Sequence, residues 1–123
     1  MKDPMDTLSS LFKALSDGTR LRVLNLLFEA GELCVCDLES TLGCTQTKIS
    51  RHMGYLKRAG LTADRRAGRW IFYSIALPKT ELQRLALKNL RELIAAEPSA
   101  RRDITALQRR IAAGCCVGAN QQH

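Results

Sequence analysis

Cys34 and Cys36, two thiols two residues apart in the stretch ELCVCDLES at residues 32–40, are the groups in this chain best suited to chemistry. On an ideal helix, residues i and i+2 do not face each other. Both sulfurs can therefore grip one atom only where the backbone departs from regular helix. Otherwise the pair is small, buried apolar packing. Cys44, Cys115 and Cys116 bring the cysteines to five. The odd count, with no secretory signal and no apolar run long enough to span a membrane, leads us to expect a cytoplasmic protein. Its thiols would stay reduced, open to ligation or redox chemistry.

The second chemical signal is charge. Residues 1–44 hold four Lys/Arg against seven Asp/Glu, a net of −3, whereas residues 45–69 hold seven against one, a net of +6. Residues 70–123 hold eight against four, so the overall +7 is concentrated in the middle of the chain. A basic segment of this kind favours a polyanionic partner.

The elements that must position these groups follow from apolar spacing. Leu8, Leu11, Phe12 and Leu15 fit one face of a first helix. Asp17 or Ser16 caps a second, GTRLRVLNLLFEA, which Gly31 stops. VCDLESTL forms a short third helix ended by Gly43, with Cys34 at its entry and Cys36 inside it. Thr45 caps a fourth, whose Ile49, Met53 and Leu56 face inward while Gln46, Thr47, Ser50 and Arg51 face out. RWIFYSIAL, rich in β-branched and aromatic residues, follows a basic RAGR turn and predicts a hairpin. Pro78 should open a fifth helix, Lys79 to about Ala96, and a sixth should run from about Ala100 to Ala113.

The expected fold is therefore mainly α with a small β-hairpin wing, in the order α-α-α-α-β-β-α-α: a winged helix-turn-helix. One chain with so few aromatics (5% of residues) should leave helical apolar surface for a second copy, giving a homodimer. We expect residues 1–98 to form the DNA-binding and dimerisation domain, and residues 99–123 a C-terminal helix with a cysteine-containing tail. Gln46 and Thr47, then Ser50 and Arg51, should reach base edges in the major groove of double-stranded operator DNA. Lys48, Arg65, Arg66 and Arg69 should meet phosphates. His52, off the apolar stripe, is expected to support the helix by hydrogen bonding.

The strings LFKALSDGTRLRVLNLL, GELCVCDL, TQTKISRHMGYLKRAGL and RRAGRWIFYSI, within residues 8–95, resemble the ArsR/SmtB family of metal-responsive repressors, above all its arsenical-resistance members. The resemblance implies a homodimer that represses its operon and releases DNA when a soft metal or metalloid binds. It also implies a third cysteine directly after CVCDL, where this chain has Glu39. Cadmium- and lead-responsive members draw cysteines from an N-terminal arm, yet residues 1–33 contain none. Zinc-responsive members use His and carboxylates on the dimer helix, and Lys79–Ala96 has no His. Cys34 and Cys36 remain, with Cys44, Cys115 or Cys116 as possible completing ligands.

Thiolates select soft ions. Trivalent arsenic or antimony is satisfied by two or three sulfurs, whereas zinc usually takes four ligands. We therefore expect As(III) or Sb(III) as inducer, with no organic cofactor and no membrane partner. Closing both sulfurs on one atom would pull the first turn of the third helix out of shape and pass the distortion to the reading helix. No nucleophile–base set, phosphate loop or C-x-x-C motif suggests an enzyme. A thiol redox or Cd/Pb-responsive repressor on the same scaffold is the rival. A metallochaperone would leave the basic segment unexplained.

Overall fold

A computed structural model describes residues 4–114. The described residues form six helices and a small sheet: α1 Pro4–Leu15, α2 Gly18–Ala30, β1 Glu32–Cys34, α3 Val35–Leu42, α4 Gln46–Arg58, β2 Thr62–Ala67, β3 Trp70–Ile75, α5 Glu81–Ala95 and α6 Ala100–Ala112. The expected winged helix-turn-helix is present, with one addition. Glu32–Cys34 is a strand, so the sheet is three-stranded and antiparallel in the order β1-β3-β2. Three residues are too few to show an alternating pattern, and only pairing with β3 makes them a strand. The register sets Cys34 opposite Phe72, and Arg65 opposite Phe72 on the other side.

Local chemistry fixes the helix ends. The Asp17 carboxylate accepts the Arg20 backbone N–H at 3.1 Å and starts α2. Thr45 accepts the Lys48 N–H at 3.3 Å and starts α4. Gly43, at φ 68° and ψ 30°, ends α3 in the left-handed region, which a β-carbon would resist. α5 begins at Glu81, two residues after the expected Lys79. Thr80 caps it by accepting the Gln83 N–H at 3.1 Å, while Gln83 Oε1 accepts the Lys79 N–H at 2.8 Å.

The core runs through α2, α3 and α4: Val23, Leu24, Leu26, Leu38, Ile49 and Leu56 are fully buried, joined by Leu61 ahead of β2. α6 closes over α2 and α3, and its Leu107 is buried in the same core. Arg22 makes a bidentate pair with Asp103 (2.8 and 3.0 Å), and Asn25 Nδ2 donates to the Ala100 carbonyl at 3.0 Å. The helix-turn-helix, α3 and α4, is thus held from behind by α2 and α6. It is held from the side by the sheet.

Candidate functional site

Cys34 is the last residue of β1 and the N-cap of α3, with φ −79° and ψ 161°. Its backbone is extended while that of Cys36 is already helical, and this change of conformation removes the obstacle of i, i+2 spacing. The two Cα atoms are 5.4 Å apart, and the sulfurs meet in a disulfide. Cys34 is fully buried against Phe72, with Cys36, Ala67 and Trp70 packed around them. This is a separate apolar cluster between α3 and the wing.

Asp37 is the residue that sequence reasoning missed. Its carboxylate lies with both sulfurs in a group whose ligand atoms are all within 4.8 Å of one another. Asp37 is 4% exposed; its Oδ2 is 3.5 Å from Cys34 Sγ, positioned to accept from the reduced thiol, and its Oδ1 is buried without a hydrogen-bond partner. Burial pushes the Asp37 carboxyl above the usual carboxylate range, with hydrogen bonding from the Cys34 backbone opposing. The available signal was its position three residues after a helix cap, where an acidic side chain turns back on the first turn. An acidic residue in a first turn usually faces water, and no local pattern calls for burying this one.

Cys44 sits in the α3–α4 turn, half-buried against the main core, with Sγ 3.8 Å from the Leu42 carbonyl. It is not part of the Cys34–Cys36–Asp37 group. Cys115 and Cys116 lie outside the described residues. Glu39 is half-buried on α3 and also stands apart from the group.

The basic segment is exposed on both α4 and the wing. Gln46, Thr47, Lys48, Ser50 and Arg51 are all exposed on α4, while Ile49 and Met53 are buried behind them. On the wing Arg65, Arg66 and Arg69 are exposed, and Gly68 turns the hairpin at φ 62°. Arg69 stacks on Trp70, 5.3 Å from the ring centroid. Arg65 is already engaged: it grips Glu32 through two 2.8 Å bonds and lies 4.6 Å over the Phe72 ring. Lys57 Nζ donates to Asp64 at 3.1–3.2 Å, tying α4 to β2. His52 is largely buried behind the face with Nδ1 4.0 Å from Asp17 Oδ1, beyond hydrogen-bond reach. Burial pushes its pKa down, and Asp17 partly offsets the shift.

Sulfur site and basic face share parts. Phe72 touches Cys34 on one side and carries Arg65 on the other. Glu32, two residues before Cys34, anchors Arg65. Cys34 thus touches the wing at Phe72, and α3, which it caps, packs on α4.

Residues 17–62 match the family described as bacterial regulatory protein, arsR family. The chain is 52% identical over 66 residues to the arsenical resistance operon repressor of Escherichia coli, covering 54% of this chain and 56% of that protein. It is 38% identical over 74 residues to a cadmium resistance transcriptional regulatory protein of Staphylococcus aureus, covering 60% of each. It thus spans little more than half the length of these curated relatives. Among solved structures it resembles the homodimeric winged helix-turn-helix DNA-binding domain of a possible ArsR-family transcriptional regulator from Mycobacterium bovis. That match has a TM-score of 0.60 and 30% identity, and covers 72% of this chain and 79% of that one. With these matches on this fold, the chain belongs to the arsR family of bacterial regulatory proteins.

Proposed function

We propose that the protein is a homodimeric transcriptional repressor that binds operator DNA through α4 and the wing, and releases it when As(III) or Sb(III) binds the Cys34 and Cys36 thiolates. The observation that carries this reading is the position of the two sulfurs. They meet at the entry of α3, the first helix of the helix-turn-helix, against Phe72 of the wing. Gln46 and Thr47, at the N-terminus of α4, are suited to base edges, with Ser50 and Arg51 one turn on. Lys48, Arg66 and Arg69 are suited to phosphates. Arg65 joins them when Glu32 lets it go.

A metalloid inserted between the two reduced thiolates ties the end of β1 to the first turn of α3 through one added atom, and α3 would shift against α4 to admit it. A coupling of about 1–3 kcal/mol, the usual range for allosteric linkage, changes operator affinity roughly 5–150-fold. The arsenical-resistance relative supports the choice of ligand class, as does the preference of thiolates for soft ions.

The disulfide between Cys34 and Cys36 favours one second reading: a thiol redox sensor on the same scaffold. The two separate cleanly. A labelled operator–protein complex is titrated by fluorescence anisotropy, under reducing conditions, with arsenite, antimonite, cadmium and zinc. A parallel series uses peroxide followed by reductant. Metalloid sensing predicts release by arsenite and antimonite and little effect of zinc. Release by peroxide alone, reversed by reductant and with no response to arsenite, would replace it with the redox reading.

A further inference from the structure

Two thiolates leave a trivalent metalloid one substituent short, and the described residues place no third sulfur in the group. When arsenite, As(OH)3, reacts with two thiols, two As–S bonds form and two As–OH bonds break. Each thiol proton leaves with one hydroxide as water, and the product is a dithiolate of arsenic that still carries one hydroxyl. No electrons are transferred. That remaining hydroxyl is polar and would sit beside an apolar cluster in which Cys34 and Phe72 are buried and Cys36, Ala67 and Trp70 half-buried. A buried hydroxyl without a partner is costly.

The one polar side chain in that group is Asp37. It is 4% exposed, has a carboxylate oxygen within 4.8 Å of both sulfurs, and its Oδ1 makes no hydrogen bond. A buried acceptor without a donor carries a standing desolvation cost, which the right ligand group relieves. Two incomplete hydrogen-bonding groups would thus complete each other. Resting on the metalloid reading proposed above, we propose that Asp37 is a specificity-determining residue: it hydrogen-bonds the third, hydroxyl substituent of the bound metalloid and so selects inorganic arsenite or antimonite over their singly methylated counterparts. Methylarsenous acid, CH3As(OH)2, uses both hydroxyls in forming its two As–S bonds. It would bring a methyl group to the place where Asp37 needs a donor. Sites built to hydrogen-bond a hydroxyl discriminate strongly against the analogue that lacks it.

The test measures dissociation constants of the full chain for arsenite and for methylarsenous acid, under reducing conditions, by competition with a small dithiol. Wild type is compared with Asp37→Leu, which keeps similar bulk without a polar group. The ratio of the two constants is compared between proteins, so the intrinsic preference of a dithiol cancels. The inference predicts that Asp37→Leu shifts this ratio toward methylarsenous acid by about tenfold or more. Asp37→Asn, which keeps an acceptor but loses the charge, should shift it in the same direction by less, and carries the test if the leucine variant does not fold. An unchanged ratio in a folded variant that still binds both reagents overturns the role of Asp37 and leaves the metalloid reading standing. Failure of wild type to bind either reagent overturns the metalloid reading itself.

Discussion

Cys34 ends a strand and caps a helix, and this double position lets two i, i+2 thiols converge. The C-x-C pair was plain in the sequence, as was its place at the entry to α3. The burial of Asp37 and the contact with Phe72 were not, because both depend on strand register, which no local pattern specifies. Asp17 shows the same limit: its cap was readable, its closeness to His52 was not. The Asp17 carboxyl sits below the usual range, mainly because it accepts the Arg20 backbone N–H. A depressed carboxylate stabilises the fold above its unfolded pKa, about 3.9, and that contribution is lost as pH falls through the lower folded value. His52 is shifted down by burial, so the folded state favours its neutral form, and acidification below about pH 6.5 destabilises the protein through it first. Asp17→Ala should cost about 1 kcal/mol near neutral pH, seen as a lower urea midpoint. His52→Gln should flatten the fall in stability between about pH 6.5 and 5. An acid limb identical to wild type in that window would refute the assignment to His52.

α4 and the wing were legible because helical and strand periods are distinct and the turns carry Gly and Thr. β1 was not, since three residues acquire strand geometry only from β3. α5 starts at Glu81 and not at the expected Lys79 because the Thr80 side chain caps it. In the proposed reading the exposed residues divide into a base-reading helix and a phosphate-binding wing, and the two should fail differently. Arg66→Ala and Arg69→Ala are expected to weaken binding to all sequences alike and reduce the salt slope by about one unit each. Gln46→Ala should relax sequence preference and leave that slope in place. Both follow from operator and non-operator affinities at several salt concentrations. Wing variants that change specificity at constant salt slope would reverse the assignment. Arg65 offers a finer check: Glu32→Gln weakens its tether and should raise affinity for DNA of any sequence.

Across the molecule, α1, α2, α5 and α6 border an apolar groove of about 780 Å³ lined by Phe12, Leu15, Leu21, Leu90, Leu93 and Ile94. Phe12 is 62% and Leu93 69% exposed, a large apolar surface for one small chain. The broad apolar faces of these helices were visible in the sequence, and a second copy is the partner we propose for them. Leu93→Glu should therefore shift sedimentation at micromolar concentration from dimer toward monomer and reduce operator affinity at least tenfold, about 1.4 kcal/mol. A Leu93→Glu protein that stays dimeric would place the interface elsewhere.

The central claim is that Cys34 and Cys36 together convert metalloid binding into DNA release. Its most direct test is arsenite titration of a fluorescent operator complex under reducing conditions, comparing wild type with the Cys34→Ser/Cys36→Ser double variant. Both proteins are expected to bind the operator with similar affinity, with arsenite releasing wild type alone. Full release of the double variant by arsenite would contradict the claim and move the sensing thiols to Cys44, Cys115 or Cys116.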